Sequence, residues 1–404
     1  MTSPRRINES GLCTVWSFDG DGRQFAQDVI AECTRCEYCL VLIFYSQQHY
    51  PPASFLEPLA EQLDGPIIAG CSSAGELTPE GLQENNIVAM LFPVIHFSAD
   101  AELIEDVAAC GMEDIVNRVA LLRERFTGGD HDSVFAISVI DGLSRSEESV
   151  TTAINRALDG ITLLGGSSGD DLLFTRTTQV FGNRNYSGAA IVVMLRTDLE
   201  FEAFSTKNFV ATENKLVITD CDPSERIVYE FNGVRAAEEY ARLINVDSAC
   251  LSAATFASHP LVVRVGGEYF CRAISHVYDD GSMRFFCAID EGVVLTLSEP
   301  VAMVETTAAT LEGVTDRIGP LDTMLGFDCA YRRTDARNRG LYNAMSELYQ
   351  AFNFVGFATY GEQFQAMHIN QTCTGIAFAA PTQPTAAAAP TTAVDELASD
   401  RDGF

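Results

Sequence analysis

"GCSSAGEL" occupies residues 70–77, "GGSSGDDL" residues 165–172 and "GFATYGEQ" residues 356–363. Each stretch follows a short apolar run, and the three align column by column. Gly70, Gly165 and Gly356 open the motif. Ser73, Ser168 and Thr359 stand three residues later, and Glu76, Asp171 and Glu362 six residues later. Asp171 lies 95 residues after Glu76, and Glu362 lies 191 after Asp171, about twice that interval. A degraded fourth copy is therefore expected near residue 266, where "LVVRVGGEYF" (261–270) carries a glycine pair and Glu268.

The surroundings repeat as well. "CLVLIFY" (39–45) is an apolar run of strand length. Phe55, Leu56, Leu59 and Leu63 then recur at helical spacing before the stop at Gly65. "PIIAGCSS" (66–73) and "NIVAMLF" (86–92) are further strands. The second copy reads "SVFAISVI" (133–140), a helix over 146–160, "ITLLGGSS" (161–168) and "GAAIVVML" (188–195). The third reads "MLGFDCAY" (324–331), a helix over about 335–351, "NFVGFATY" (353–360) and "TCTGIAF" (372–378). The expected fold is mixed α/β: repeated βαββ units packed in pairs, forming mixed sheets with flanking helices, in two modules. The expected divisions are an N-terminal segment (1–37), modules over 38–235 and 236–380, and a tail over 381–404. That tail is rich in Pro, Ala and Thr, a composition that does not bury a core, so disorder is expected.

Glycine at each motif permits a tight or left-handed backbone, and the small hydroxyl residues bond nearby turn amides. Turn chemistry explains most of the pattern. Carboxylates at matching positions near one end of the sheets also make a polar rim, and clefts at strand ends commonly hold ligands. Glu76, Ser168, Asp171, Thr359 and Glu362 are accordingly the candidate ligand-binding residues.

The bulk numbers exclude several classes. The chain has 404 residues, 47% hydrophobic and 20% charged, a globular composition. No apolar run reaches the roughly 18 residues of a membrane span. The start has two arginines and no apolar stretch behind them, so no signal peptide is read and the cytoplasm is the expected location. A net charge of −30 repels nucleic acid and anionic membrane. Proteins or small molecules are the expected partners. "RRTDARNR" (332–339) is the one dense basic stretch and reads as a solvated helix start rather than a binding patch. The twelve cysteines are expected to be mostly buried thiols. Cys33, Cys36 and Cys39 in "CTRCEYC" have a spacing that suits a metal or redox switch, and equally one face of a helix end.

"LLGGSSGDD" after a strand, "CDPSERIVYEFNGVRAAEEYARL" and "FVGFATYGEQFQAMHINQT" together resemble the FIST sensory domain family, over roughly residues 38–380. "SHPLVVRVGGEYFCRAI" and "FFCAIDEGVVL" are similar to its NosP branch, haem proteins that sense nitric oxide. The resemblance implies a b-type haem protein with a gas ligand that regulates a histidine kinase or cyclic-di-GMP enzyme. Self-association into a homo-oligomer stays open. The alternatives are a FIST receptor for a small polar molecule such as an amino acid, without haem, and the cysteine switch.

Haem requires an axial ligand, an apolar slot and cations for its propionates. His259, before Pro260 and beside Phe256, Leu261 and Val262, ranks first as ligand, with Arg264 and Arg272 downstream for propionates. His368, beside Met367 and near Phe364, ranks second, and His276 follows. His49 and His131 read as loop residues and His96 as a bonded core residue. Cys71 after a strand suits a nucleophile, but no partner histidine is placed by the sequence. "GGSSGDD" lacks the lysine of a phosphate loop. No complete catalytic set is present, so a ligand-binding sensor rather than an enzyme is expected.

Overall fold

The computed structural model describes residues 2–128 and 133–382. The expected tail and His131 lie outside the described residues, apart from the tail's first two positions. In chain order the first unit is β1 (Arg5–Ile7), β2 (Cys13–Ser17), α1 (Gly22–Arg35), β3 (Tyr38–Tyr45), α2 (Pro52–Gln62), β4 (Ile67–Ser72), the hairpin β5 (Glu76–Thr78) and β6 (Gly81–Gln83), and β7 (Ile87–Pro93). The second is β8 (Phe97–Ile104), α3 (Met112–Thr127), β9 (Val134–Ile140), α4 (Glu147–Leu158), β10 (Thr162–Ser167), the hairpin β11 (Gln179–Phe181) and β12 (Arg184–Tyr186), and β13 (Ala190–Thr197).

The third unit starts with β14 (Phe201–Lys207) and is then interrupted by a separate antiparallel sheet. This insert holds β15 (Phe209–Asp222), β16 (Ile227–Phe231), β17 (Val234–Arg235), α5 (Ala236–Ile244), α6 (Ala253–Ser258), β18 (Leu261–Val265), β19 (Glu268–Arg272), β20 (Ile274–Val277), β21 (Met283–Phe285) and β22 (Val294–Pro300). The unit resumes with α7 (Met303–Ile318), β23 (Leu321–Cys329), α8 (Ala330–Asn338), α9 (Tyr342–Ala351), β24 (Phe354–Thr359), the hairpin β25 (Glu362–Phe364) and β26 (Met367–Ile369), and β27 (Thr372–Ala379).

The sheet orders show how the units are joined. They are β1-β2-β7-β3-β4-β11-β12, β26-β25-β10-β9-β13-β8 and β14-β27-β23-β24-β5-β6. Every unit has the same parallel pair, β3 with β4, β9 with β10 and β23 with β24. Every unit also sends its hairpin to the edge of another unit's sheet. The first hairpin completes the third sheet, the second completes the first, and the third completes the second. Three units closed in a ring thus replace the expected packing in pairs. The exchange covers one sheet edge in each unit, which would otherwise present unpaired backbone groups.

Hydrophobic patterning follows from this ring. The inner faces of the three sheets share one core, with Leu42, Phe44, Phe135, Ile137, Phe327 and Phe357 among its members. Phe44 stacks on Phe357 at 4.4 Å. The outer faces make three separate cores with their helices: α1 and α2, α3 and α4, and α7 with α9. Each central strand is buried on both faces and therefore reads as a continuous apolar run.

Two sequence expectations change here. The fourth copy near residue 266 is a hairpin of the insert, in which β18 and β19 pair antiparallel. Its glycines, Gly266 and Gly267, have φ of +60° and +96° and form a two-residue turn. The helix expected over 335–351 is two helices, α8 and α9, divided where Gly340 takes φ +69°. Among the described residues no helix is long and apolar enough to cross a membrane.

Candidate functional site

The repeated motif lies where the three units lock together. The amides of Ala74, Gly169 and Tyr360 donate to the carbonyls of Ala358, Ser72 and Ser167, at 2.9, 3.1 and 3.0 Å. The amides of Ala358, Ser72 and Ser167 in turn donate to Gly75, Thr178 and Gly361, at 2.7, 2.8 and 2.7 Å. Close approach explains the motif glycines. A Cβ on Gly70, Gly165 or Gly356 would lie 1.8, 2.0 or 1.8 Å from the carbonyl oxygen of Ile43, Ser138 or Gly326 on the adjacent parallel strand.

Glu76 and Glu362 are equivalent and fully buried. Ser73 Oγ bonds Glu76 at 2.5 Å and the Asn86 amide donates to its other oxygen at 3.1 Å. Thr359 bonds Glu362 likewise, and the Thr372 amide donates at 3.2 Å. Burial pushes both carboxyls up to about 8. The second unit departs from the sequence alignment, because Asp171 does not occupy this place. Gln179 does: it donates to Ser168 Oγ at 2.7 Å and accepts from the Ala189 amide at 3.3 Å. Ser168 and Gln179 are eleven residues apart, where the other units have three, so eight residues, 170–177, are extra. The signal for this was the following strand, since Asn86, Ala189 and Thr372 each come ten residues after the buried side chain.

The extra loop sits over the junction of ring and insert. Asp170 accepts from the amides of Phe174, Thr175 and Arg176 at 2.8, 2.7 and 2.9 Å, and also bonds the Tyr360 hydroxyl. Phe174 stacks on Tyr360 at 4.7 Å and lies 5.2 Å from Phe286 of the insert. Asp171, Leu172 and Phe174 all have positive φ, an uncommon conformation for bulky side chains. Beside this loop lies a cavity of about 550 Å³, walled by the ring on one side and the insert on the other. Its wall includes Arg145, Glu225, Arg226, His276, Tyr278, Arg284, Phe174 and Phe286. Glu225 pairs with Arg145 at 2.8 Å and with Arg284 at 2.9 Å. His276 is exposed on β20, its ring packs on Tyr278 at 4.8 Å, and that ring makes no hydrogen bond among the described residues.

Arg226 fastens the insert to the ring below this cavity. It is buried and donates to Glu147 at 2.9 Å, to Glu148 at 2.6 Å and to the Arg145 carbonyl at 2.7 Å. Glu148 also accepts from the Ala288 amide at 2.6 Å. Burial raises Glu147 against the pull of Arg226, whereas Glu148 is held low despite its burial by His368 and Arg226.

The predicted histidines are dispersed. His259 is a half-buried cap of α6, its Nδ1 3.2 Å from the Thr255 carbonyl, and it is absent from the wall of the large cavity. Arg264 is exposed against Tyr269, near the far end of β18, while Arg272 pairs with Leu261 at the other end. His368 is buried, with Nε2 3.3 Å from Ser167 Oγ and Nδ1 unpartnered. Burial pushes it down to about 4, with Glu148 opposing and Arg226 and Arg272 assisting. His96 bonds Asp198 at 2.8 Å, and His49 lies 3.2 Å from Ser46 Oγ.

Cys33 lies on α1, Cys36 at its C-cap and Cys39 on β3, where its thiol bonds the Phe92 carbonyl. Burial pushes Cys33 up to about 12 and Cys39 up to about 11, away from thiolate. Among the described residues no group of three or more His, Cys, Asp or Glu side chains is placed to hold a metal ion. Cys71 is buried in the central core.

Compared with known protein families, residues 39–234 match the FIST N domain and residues 236–365 the FIST C domain. No curated protein matches the chain.

Proposed function

Because this chain belongs to the FIST sensory domain family, with both its N and C domains, we propose that it senses a small ligand bound between ring and insert. The carrying observation is the wall of the 550 Å³ cavity, which sets Arg145, Arg226 and Arg284 around Phe174, Phe285 and Phe286. Such a wall suits a flat apolar ligand that bears carboxylates. Ligand binding would act on Phe174, and so on the loop and the ring surface that a signalling partner reads. The coupling requires that the partner distinguish the two loop states. A histidine kinase or cyclic-di-GMP enzyme is the proposed partner, and sensing rather than catalysis the proposed role.

Haem b, with nitric oxide as signal, is the specific reading. The residues of this cavity fit the group in one arrangement. His276, whose ring touches Tyr278 but makes no hydrogen bond, would hold the iron, Phe174 and Phe286 would supply apolar contact, and Arg145 and Arg284, now paired with Glu225, would meet the propionates. Haem would supply the iron that takes up the gas. His259 and His368 fit less well, the first because it is remote from this wall and the second because Ser167 and Gly361 enclose it. The full-length protein reconstituted with haem should show a Soret band that shifts with nitric oxide and is lost in His276→Ala. No Soret band at all refutes the haem reading. Retention of the band in His276→Ala refutes this ligand.

A second reading rests on the alternation of Arg145, Glu225 and Arg284 in the same wall. Opposed charges over aromatic rings also suit a zwitterion such as an amino acid. Calorimetric titration of haem-free protein with amino acids tests it, and the absence of saturable heat refutes it.

A further inference from the structure

We propose that a second ligand site, separate from the cavity between ring and insert, takes a small hydroxycarboxylate beside Arg333. It is a cavity of about 230 Å³ walled by Arg333, Thr334 and Arg337 of α8, by Glu84 and Asn85 after the first hairpin, and by Asp171 and Leu172 of the extra loop. The basic stretch that reads as a solvated helix start is in fact half buried. Arg332 and Arg333 are each 3% exposed.

The neighbouring arginines have carboxylate partners. Arg332 pairs with Asp328 at 2.6 Å, Arg337 with Glu84, and Arg339 with Asp335 at 3.1 Å. Arg333 has none within 4.0 Å among the described residues. Its Nη2 donates to the Gln83 carbonyl at 2.5 Å and to the Tyr342 hydroxyl at 3.2 Å. Its Nε and Nη1 are buried without an acceptor. Gly75 admits the guanidinium, since a Cβ there would lie 1.8 Å from Nη1.

A buried cation with no carboxylate in contact is costly: Glu76 is close enough to act on Arg333, but burial holds that carboxyl up to about 8, and a bound anion would supply the missing charge. A planar carboxylate matches guanidinium geometry. Asp171 sets the rest of the preference. It stands in the same wall, with Oδ2 accepting from Ser46 Oγ at 3.0 Å. Its charge disfavours a doubly charged anion and favours a ligand that brings its own hydrogen-bond donor. The volume admits a small organic acid of up to about ten heavy atoms.

Calorimetric titration of the full chain at constant ionic strength tests the site, with sodium glycolate, sodium acetate and inorganic phosphate as probes. Saturable glycolate binding is expected, with weaker acetate binding and none of phosphate. Arg333→Gln should weaken glycolate about tenfold or more, while Arg284→Gln, in the other cavity, should leave it unchanged. Asp171→Asn lies on the loop and spares the core, so it serves if Arg333→Gln does not fold. That variant should gain phosphate binding. No saturable glycolate heat, full binding by Arg333→Gln, loss in Arg284→Gln, or an unaltered anion preference in Asp171→Asn would each overturn the proposal.

Discussion

Replacing both buried motif carboxyls with amides should remove a large part of the protein's pH-dependent stability. Glu76 and Glu362 are fully buried, and burial moves each from an ordinary 4.5 to about 8. The folded state therefore holds their protons more tightly than the unfolded chain does. Where the native state binds more protons, stability falls as pH rises. The contribution is fully present below about 4.5, declines through the window and is lost above about 8. Between pH 6 and 8 the linkage amounts to about 2 kcal/mol per carboxyl, on the order of 4 kcal/mol for the pair.

Gln179 shows that an amide fits the same place, since it bonds Ser168 and the Ala189 amide as the two glutamates bond their counterparts. Glu76→Gln with Glu362→Gln should therefore fold, be more stable than the parent at pH 8, and lose most of the slope. Urea unfolding at a series of pH values gives the test, because the other titrating groups cancel in the difference between variant and parent. Gln179→Glu is the reverse control and should steepen the slope. Identical slopes in parent and double variant would refute the protonated-carboxyl argument.

Three further outcomes follow from the same geometry. His368 is pushed down to about 4 from 6.5, so its neutral form stabilises the fold above about 6.5 and that contribution is lost as pH falls towards 4; His368→Gln should flatten the acid limb of the urea midpoint, and an unchanged limb would count against it. Gly165→Ala would place a Cβ 2.0 Å from the Ser138 carbonyl oxygen and should cost about 3 kcal/mol or more, measured as a lowered urea midpoint or loss of soluble protein. Deleting residues 170–177 should leave the ring folded, since the other two units close without them, yet abolish binding in the cavity that Phe174 walls; loss of folded circular dichroism would show that the loop is structural.

The fold was legible wherever both faces of a strand are buried. Runs such as "CLVLIFY" and "SVFAISVI" are continuous because a shared core lies on one side and a helix on the other. The ring itself was hidden, since nothing in a hairpin of three-residue strands says whose sheet it joins. Asp171 misled because it stands at the right offset from Gly165 by coincidence. The eight extra residues move the true counterpart to Gln179, and only the interval to the next strand reveals it. Arg226 was illegible for another reason. It lies in a turn of the insert, and its partners Glu147 and Glu148 come from a helix 79 and 78 residues earlier. Arg333 was misread because a run of arginines resembles a wet surface, while the φ and close packing of Gly75 that admit it are visible only in three dimensions.

The location of the candidate sites follows from where the ring departs from its own symmetry. At the lock between units, equivalent backbone groups bond one another in all three copies, and those bonds are fully used in holding the sheets together. A ligand competing for them would have to break the ring. The departures are the loop over 170–177 in the second unit and the insert between β14 and α7 in the third. They have no counterparts to satisfy, so their side chains are available to face a cavity. They also meet, with Phe174 of one against Phe286 of the other at 5.2 Å. The same loop reaches the Arg333 cavity through Leu172 and the larger one through Phe174. Its strained residues, Asp171, Leu172 and Phe174, hold positive φ against side-chain sterics, and such strain persists only while the surroundings impose it. A ligand that displaces Phe174 from Tyr360 would remove one of those restraints, and the loop could then relax without disturbing the lock. Under the proposed coupling the ring would serve as the frame, and the loop would be the element that moves.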